Sequence, residues 1–554
     1  MVLYKFFRVL FLTGFGLASP IQLNYGPTNF TLQWAPCDLD FPASISEVVK
    51  ANGVPLFCAN LEVPLDYTNP DNGKTLELQL VKIEATTEPF KGSLIMNPGG
   101  PGSSGVEEIA KSGPRYSEIM GGHFNVIGFD ARATGRTLEF VCKPPQGNAS
   151  SLARRITNFT VPQANMYEML VEKAWQDGKL YADACAETEG LADIASLIST
   201  PFVARDILNI VDALKEDGML RFWGRSYSSV LGQTFAAMFP DRIGRLFLDS
   251  ILPNDDYYSG QWATANRGTE VSLLNFLHEC VNAGPEVCTI ANFSGPGTTA
   301  QDLHNELGVV FDELLQNPTV RPTEQLKVPL AFWQSGSVTW YQDLKYSILT
   351  QLYQPIQFSS LTLTLEAILK RDWTSQYLGP LSLPTGERWG NGAPWNFHGI
   401  GCGDSHFRAN KPEDMYSLVQ VQQVAGSWSD AFAPQVWVCA HWAFEAAEKF
   451  DGPFVGINTS YPVLLANGLH DPITPISSAF EVSANLLGSR VLQHNGHGHG
   501  VMNHPSNCTV KAIHDYFNDG TLPDVGTKCE PDQTGFEIAL AYEELLRNST
   551  VQGN

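Results

Sequence analysis

The feature that most constrains this chain is a short motif set between two different hydrophobic periods. Met219–Trp223 is an apolar run, Gly224-Arg225-Ser226-Tyr227-Ser228 includes the motif, and Leu231, Phe235 and Met238 then recur at helical spacing. A short run without alternation suits a strand buried on both faces, whereas spacing by three and four suits an amphipathic helix. A strand that turns sharply into a helix through a serine between small residues reads as a G-x-S-x-G nucleophile elbow, here with Ser228 in the last position. Such a turn exposes the Ser226 hydroxyl above the sheet and points a helix N-terminus at developing negative charge. Isolated, the motif has many chance matches; between a strand and a helix it has few.

Further apolar runs bounded by Gly, Pro, Asn or Asp occur at Ser93–Met96, Phe124–Phe129, Leu246–Leu248, Val463–Ala466 and Val491–Leu492. Residues 59–84 read as two strands around the turn Asn69–Gly73, and Val203, Ile207, Ile210, Val211 and Leu214 form a helical stripe. Strands alternating with helices predict an α/β class with a mostly parallel sheet. From about 261 to 430 no buried strand is legible. Patterns such as Leu303–Leu315 and Leu344–Leu352 suggest helices, and Trp333, Trp340, Trp373, Trp389, Trp395 and Trp428 fall here. This stretch is expected to be an inserted, mainly helical second domain over the sheet, its aromatics chiefly core packing.

Two further loops carry chemistry. Asn97–Gly105 is a Gly/Pro loop directly after a strand; its backbone N–H groups suit an oxyanion hole, with Gly100 as one donor and Tyr227, just after Ser226, as the other. The competing reading, a phosphate cradle, lacks the following G-K-[ST] and the dinucleotide-binding spacing. Downstream, Asp471 follows the run at 463–466, and His494, His497 and His499 lie in a glycine-rich stretch after the run at 491–492. The order Ser…Asp…His is that of α/β-hydrolases. Ser226 is expected as nucleophile, His499 as base and then acid, and Asp471 as the group that orients the imidazole. His494 and His497 are rival bases, although Gly498 and Gly500 flank His499. The three histidines could instead bind zinc, but no Cys or carboxylate stands beside them at ligand spacing, so no metal and no cofactor is expected.

Composition narrows partners and compartment. Of 554 residues 58 are acidic and 35 basic, giving −23, a balance that argues against nucleic acid and against an anionic membrane surface. Lys5 and Arg8 precede the apolar stretch Val9–Ala18, too short to span a bilayer, which reads as a signal peptide over residues 1–18; a buried N-terminal helix is the alternative. Sequons at Asn29, Asn148, Asn158, Asn292, Asn458, Asn507 and Asn548 fit a glycosylated secreted surface. The ten cysteines contain no CxxC spacing. In an oxidising compartment the simplest expectation is sequential pairing: Cys37–Cys58, Cys142–Cys185, Cys280–Cys288, Cys402–Cys439 and Cys508–Cys529.

The loop Asn97–Gly105, the segment Phe129–Thr137, the pair Arg205-Asp206, the elbow and Phe239–Asp249 together resemble the secreted tripeptidyl-aminopeptidase-like α/β-hydrolases, relatives of proline iminopeptidase. The likeness runs over about 60–260 and 430–530, and departs from the family pattern at Ser228 and at Ala133, both small residues replacing Gly. It implies an α/β-hydrolase fold whose parts are a signal peptide (1–18), a first core part (19–260), a helical lid insertion (261–430) and a C-terminal core part (431–554). It also implies a serine exopeptidase that removes residues or short peptides from free N-termini. Such an enzyme needs an anion for the substrate ammonium, and Asp404, beside the expected Cys402–Cys439 bridge, is the candidate. An esterase or lactonase acting on a small acyl metabolite with the same triad is the alternative, and a non-catalytic binding protein is a third. No feature of the sequence specifies an oligomeric state.

Overall fold

The computed structural model describes residues 32–143, 159–321, 339–379 and 394–552. The expected signal peptide, the sequons at Asn29, Asn148 and Asn158, and Trp333 and Trp389 lie outside them. Among the described residues ten strands form one sheet: β1 (Ala35–Pro36), β2 (Phe57–Pro64), β3 (Thr75–Ile83), β4 (Ser93–Asn97), β5 (Asn125–Phe129), β6 (Leu220–Arg225), β7 (Ile243–Asp249), β8 (Leu464–His470), β9 (Arg490–His497) and β10 (Lys528–Cys529). Their spatial order is β1-β2-β3-β5-β4-β6-β7-β8-β9-β10. From β5 to β10 every pair is parallel, while β1, β2 and β3 add an antiparallel edge.

Strand residues divide between two cores. Leu94 and Met96 of β4 join Phe247 and Leu464 on one face, packed by Ile109 and Tyr116 of the helix Gly105–Ile119 and Ile513 of Asn507–Asp519. Ile95, Leu246, Leu248 and Leu465 face the other way, against Val203 and Ile207 of Thr200–Leu214, Leu231 and Phe235 of Tyr227–Met238, and Val482 of Ile476–Asn485. Burial on both faces explains why these runs lack polar alternation.

A third core belongs to the helices between β7 and β8, including Ala300–Gln316 and Trp340–Gln351, with Trp428 fully buried and Trp340 nearly so. This layer exceeds its expected limits of 261 and 430. It starts at Asn254–Tyr258 and continues through Ser429–Trp437 and Val438–His441, whose apolar residues pack with the insertion. Met166, Leu170, Trp175 and Tyr181, from before β6, join the same core. All ten cysteines pair sequentially as expected, with separations from 8 to 43 residues. Among the described residues no helix is long and apolar enough to cross a membrane. Asn292, Asn458, Asn507 and Asn548 are exposed.

Candidate active site

The parallel strands deliver the candidate residues to one edge. Asn97 ends β4, Ser226 follows β6, Asp249 ends β7, Asp471 follows β8 and His499 lies just beyond β9. In an open α/β sheet this carboxyl edge is where ligands bind.

Ser226 stands between β6 and Tyr227–Met238 with φ 60° and ψ −128°, a conformation disfavoured for any residue with a side chain. The turn is tight enough that a Cβ on Gly224 would lie 2.4 Å from the Ser228 carbonyl oxygen. The Ser226 N–H donates to the Asp249 carbonyl (2.9 Å) and its carbonyl accepts Ser229 N–H (2.7 Å). Tyr227 occupies the first helical position, where an N–H has no intrahelical acceptor. The Asn97–Gly105 loop lies against this turn: a Cβ on Gly99 would approach Arg225 O to 2.4 Å and Tyr227 N to 3.1 Å. Gly100 is exposed at φ 105°. Ser228, the departure from the usual elbow glycine, donates to Asn97 Oδ1, so its hydroxyl is used.

His499 Nδ1 sits 3.0 Å from Asp471 Oδ2 and 3.2 Å from Oδ1. Asp471 is buried, and it also accepts Ile473 N–H and Thr474 N–H at 2.9 Å and Thr474 Oγ1 at 2.8 Å. Those donors fix the carboxylate, and a carboxylate on Nδ1 places the ring proton there, leaving Nε2 as the basic nitrogen. The His499 N–H donates to Tyr353 O (2.9 Å) of the helical insertion, and the two rings are 5.0 Å apart. His494 turns instead to Thr509 Oγ1 (3.0 Å) and His497 to Glu279 Oε1 (2.9 Å), so the three histidines diverge.

Several partners were not singled out from sequence as site residues. Asp249 Oδ1 accepts Val501 N–H (3.0 Å) and Ser250 Oγ accepts Gly500 N–H (2.7 Å), so the end of β7 holds both the elbow and the histidine loop. Burial raises the Asp249 carboxyl above its ordinary range. An acid ending an apolar strand beside the elbow is the signal that could have marked it. Thr474, three residues after Asp471, bridges it to His499, with Thr474 Oγ1 3.2 Å from Nδ1.

Asp404 does not serve as expected. It is fully buried, and its oxygens accept Thr200 N–H (2.9 Å), Thr200 Oγ1 (2.5 Å) and Tyr257 Oη (2.8 Å), leaving no face for a substrate ammonium. Burial pushes its carboxyl up to about 6. The cause lies in the packing. The helix Pro394–Asp404 ends against the start of Thr200–Leu214, whose first N–H groups lack intrahelical acceptors and attract a carboxylate.

Residues 423–529 match the family described as TAP-like protein. Serine protease Hip1 of Mycobacterium tuberculosis (strain ATCC 25618 / H37Rv) is 26% identical over 508 residues, covering 90% of this chain and 91% of its own. Carboxylesterase B of the same strain is 25% identical over 516 residues, 90% of each chain. Tripeptidyl aminopeptidase of Streptomyces lividans is 23% identical over 496 residues, 87% of this chain and 84% of that one. With the parallel sheet, the elbow and the Asp471–His499 pair, these matches support a serine hydrolase of α/β-hydrolase fold that is similar to TAP-like serine peptidases.

Proposed function

We propose that this serine hydrolase is a secreted, glycosylated exopeptidase that releases residues or short peptides from free N-termini. The observation that carries the mechanism is the Asp471 carboxylate on His499 Nδ1, at the same sheet edge as a serine on a strained elbow. Ser226 Oγ attacks the scissile carbonyl carbon while its proton passes to His499 Nε2. The oxyanion is stabilised by the N–H groups of Gly100 and Tyr227. The C–N bond breaks and the leaving amine takes the proton from His499; a water deprotonated by His499 then attacks the acyl carbon, the bond to Ser226 Oγ breaks to release the acid, and His499 returns the proton to Ser226 Oγ. No step requires a cofactor. Secretion is supported by the signal-like N-terminus, the five disulfides and the exposed sequon asparagines.

A carboxylesterase among the relatives favours a second reading, hydrolysis of a small acyl ester through the same residues. Digestion of a peptide library, read by mass spectrometry beside an acyl-ester assay, tests both. Loss of N-terminal residues only from peptides with free amines supports the exopeptidase; ester turnover with no peptide cleavage rejects it.

A further inference from the structure

We propose that Asp404 is a positioning residue for acyl transfer, acting through Thr200 and the Tyr227 phenol on the backbone donor beside Ser226. The inference rests on the reading of Ser226 as nucleophile and of the Tyr227 N–H as part of the oxyanion hole.

Three segments far apart in sequence meet in this network. Asp404 closes the helix Pro394–Asp404 in the insertion, beside the Cys402–Cys439 bridge. Thr200 opens the helix Thr200–Leu214 of the core, and Tyr227 follows the elbow serine. The direction of the chain of bonds follows from proton counting. An ionised carboxylate only accepts, so Thr200 Oγ1 spends its single proton on Asp404 Oδ2 at 2.5 Å. The phenol of Tyr227, 2.5 Å from the same Thr200 oxygen, must then be the donor in that contact. Asp404 therefore orders Thr200, and Thr200 orders the Tyr227 ring.

Tyr257 braces the arrangement from the other side: its hydroxyl donates to Asp404 Oδ2 and its ring centroid lies 5.5 Å from that of Tyr227. Tyr227 has little freedom to relax, because its side chain is buried and its N–H is the first of the helix. A shift of the phenol is transmitted to a peptide unit whose N–H must keep hydrogen-bond distance to a developing oxyanion, with a tolerance of only about 0.5 Å. The same carboxylate also links the helical insertion to the catalytic turn, with both partners fully desolvated.

The test is a double-mutant cycle on the full-length protein. Thr200→Val removes the relay hydroxyl at nearly constant shape, and Tyr227→Phe removes the phenol while keeping the backbone N–H. Each is expected to lower kcat on a peptidyl anilide about tenfold with KM within about twofold, and the double variant is expected to fall no further than either single one. Asp404→Asn is expected to lose as much in the wild-type background and nothing more beside Tyr227→Phe; if it does not fold, the Thr200/Tyr227 cycle decides alone. Wild-type labelling of Ser226 by a fluorophosphonate is measured first, and its failure overturns the nucleophile reading together with this inference. A labelled wild type whose variants show additive losses, or lose thermal stability with kcat unchanged, overturns the positioning role alone.

Discussion

Ser228 donates its hydroxyl proton to Asn97 Oδ1, and that same oxygen accepts the Gly99 N–H at 3.1 Å. One amide oxygen therefore fastens the elbow to the glycine loop that carries Gly100. The usual elbow glycine could not make this bond. Ser228→Ala should lower kcat roughly tenfold and leave KM nearly unchanged, because it loosens a donor by a fraction of an ångström without touching the bound ground state. Stability should fall by only about 1 kcal/mol, since Asn97 keeps its bond to Gly99. Steady-state kinetics with a chemical denaturation curve checks both, and an unchanged kcat removes the coupling.

The Asp471–His499 contact predicts a graded pair of losses. Ser226→Ala removes the nucleophile and should abolish nearly all turnover at an unchanged melting temperature. Asp471→Asn keeps the shape but offers an amide to Nδ1, which favours the wrong tautomer and should cost about 10⁴ in kcat. Turnover of Ser226→Ala near the wild-type rate would falsify the nucleophile assignment.

The elements legible in the sequence are those whose cause is local. The run at Met219–Trp223 and the stripe Leu231, Phe235, Met238 identify strand and helix because the strand is buried on both faces and the stripe marks the helix side packed on the sheet, although the rest of that helix is buried too. Ser226, Asp471 and His499 each follow such a run, which is why their meeting at one edge could be anticipated from order alone. Asp404 shows the opposite case. The neighbouring Cys402–Cys439 bridge suggested a carboxylate held for a substrate ammonium, yet its orientation is decided by Thr200, 204 residues away. The limits of the helical layer were illegible for a related reason. Met166 and Trp175 join it, and Trp437 belongs to it although it lies beyond residue 430, through tertiary packing that leaves no mark in the local period.

Two motif residues also form a staple remote from the chemistry. Arg132 donates to both oxygens of Asp206 (2.8 and 3.0 Å) and to the carbonyls of Pro64, Leu65 and Leu197, with both side chains fully buried. Arg132→Met strips Asp206 of these bonds and leaves a buried carboxylate beside Tyr67 Oη. The expected loss is about 3–5 kcal/mol of unfolding free energy. Arg132→Lys should recover little of it, because an ammonium cannot reproduce the planar fork. Urea midpoints measure this directly; a midpoint for Arg132→Met close to wild type would show that the pair contributes little.

His494 makes stability depend on pH with a definite sign. Its ring is fully buried, and burial first, then neighbouring His504, lowers its pKa to about 4. Unfolded, the imidazole titrates near 6.5. Between those values the unfolded chain binds more protons than the native one, so stability is present in full above about 6.5 and is lost as pH falls towards 4. Asp130 and Asp404 contribute with the opposite sign, since burial raises both to about 6 and the native state then holds more protons than the unfolded chain between about 4 and 6. A variant that alters only the histidine separates the two contributions. His494→Gln removes the titration and leaves both carboxyls in place, so its melting temperature should fall less steeply than that of wild type between pH 6.5 and 4. The two curves should converge towards the acid end and be furthest apart near pH 7, where neutral His494 retains its Thr509 contact. Curves that stay parallel across the whole range would mean that His494 carries no proton linkage to folding.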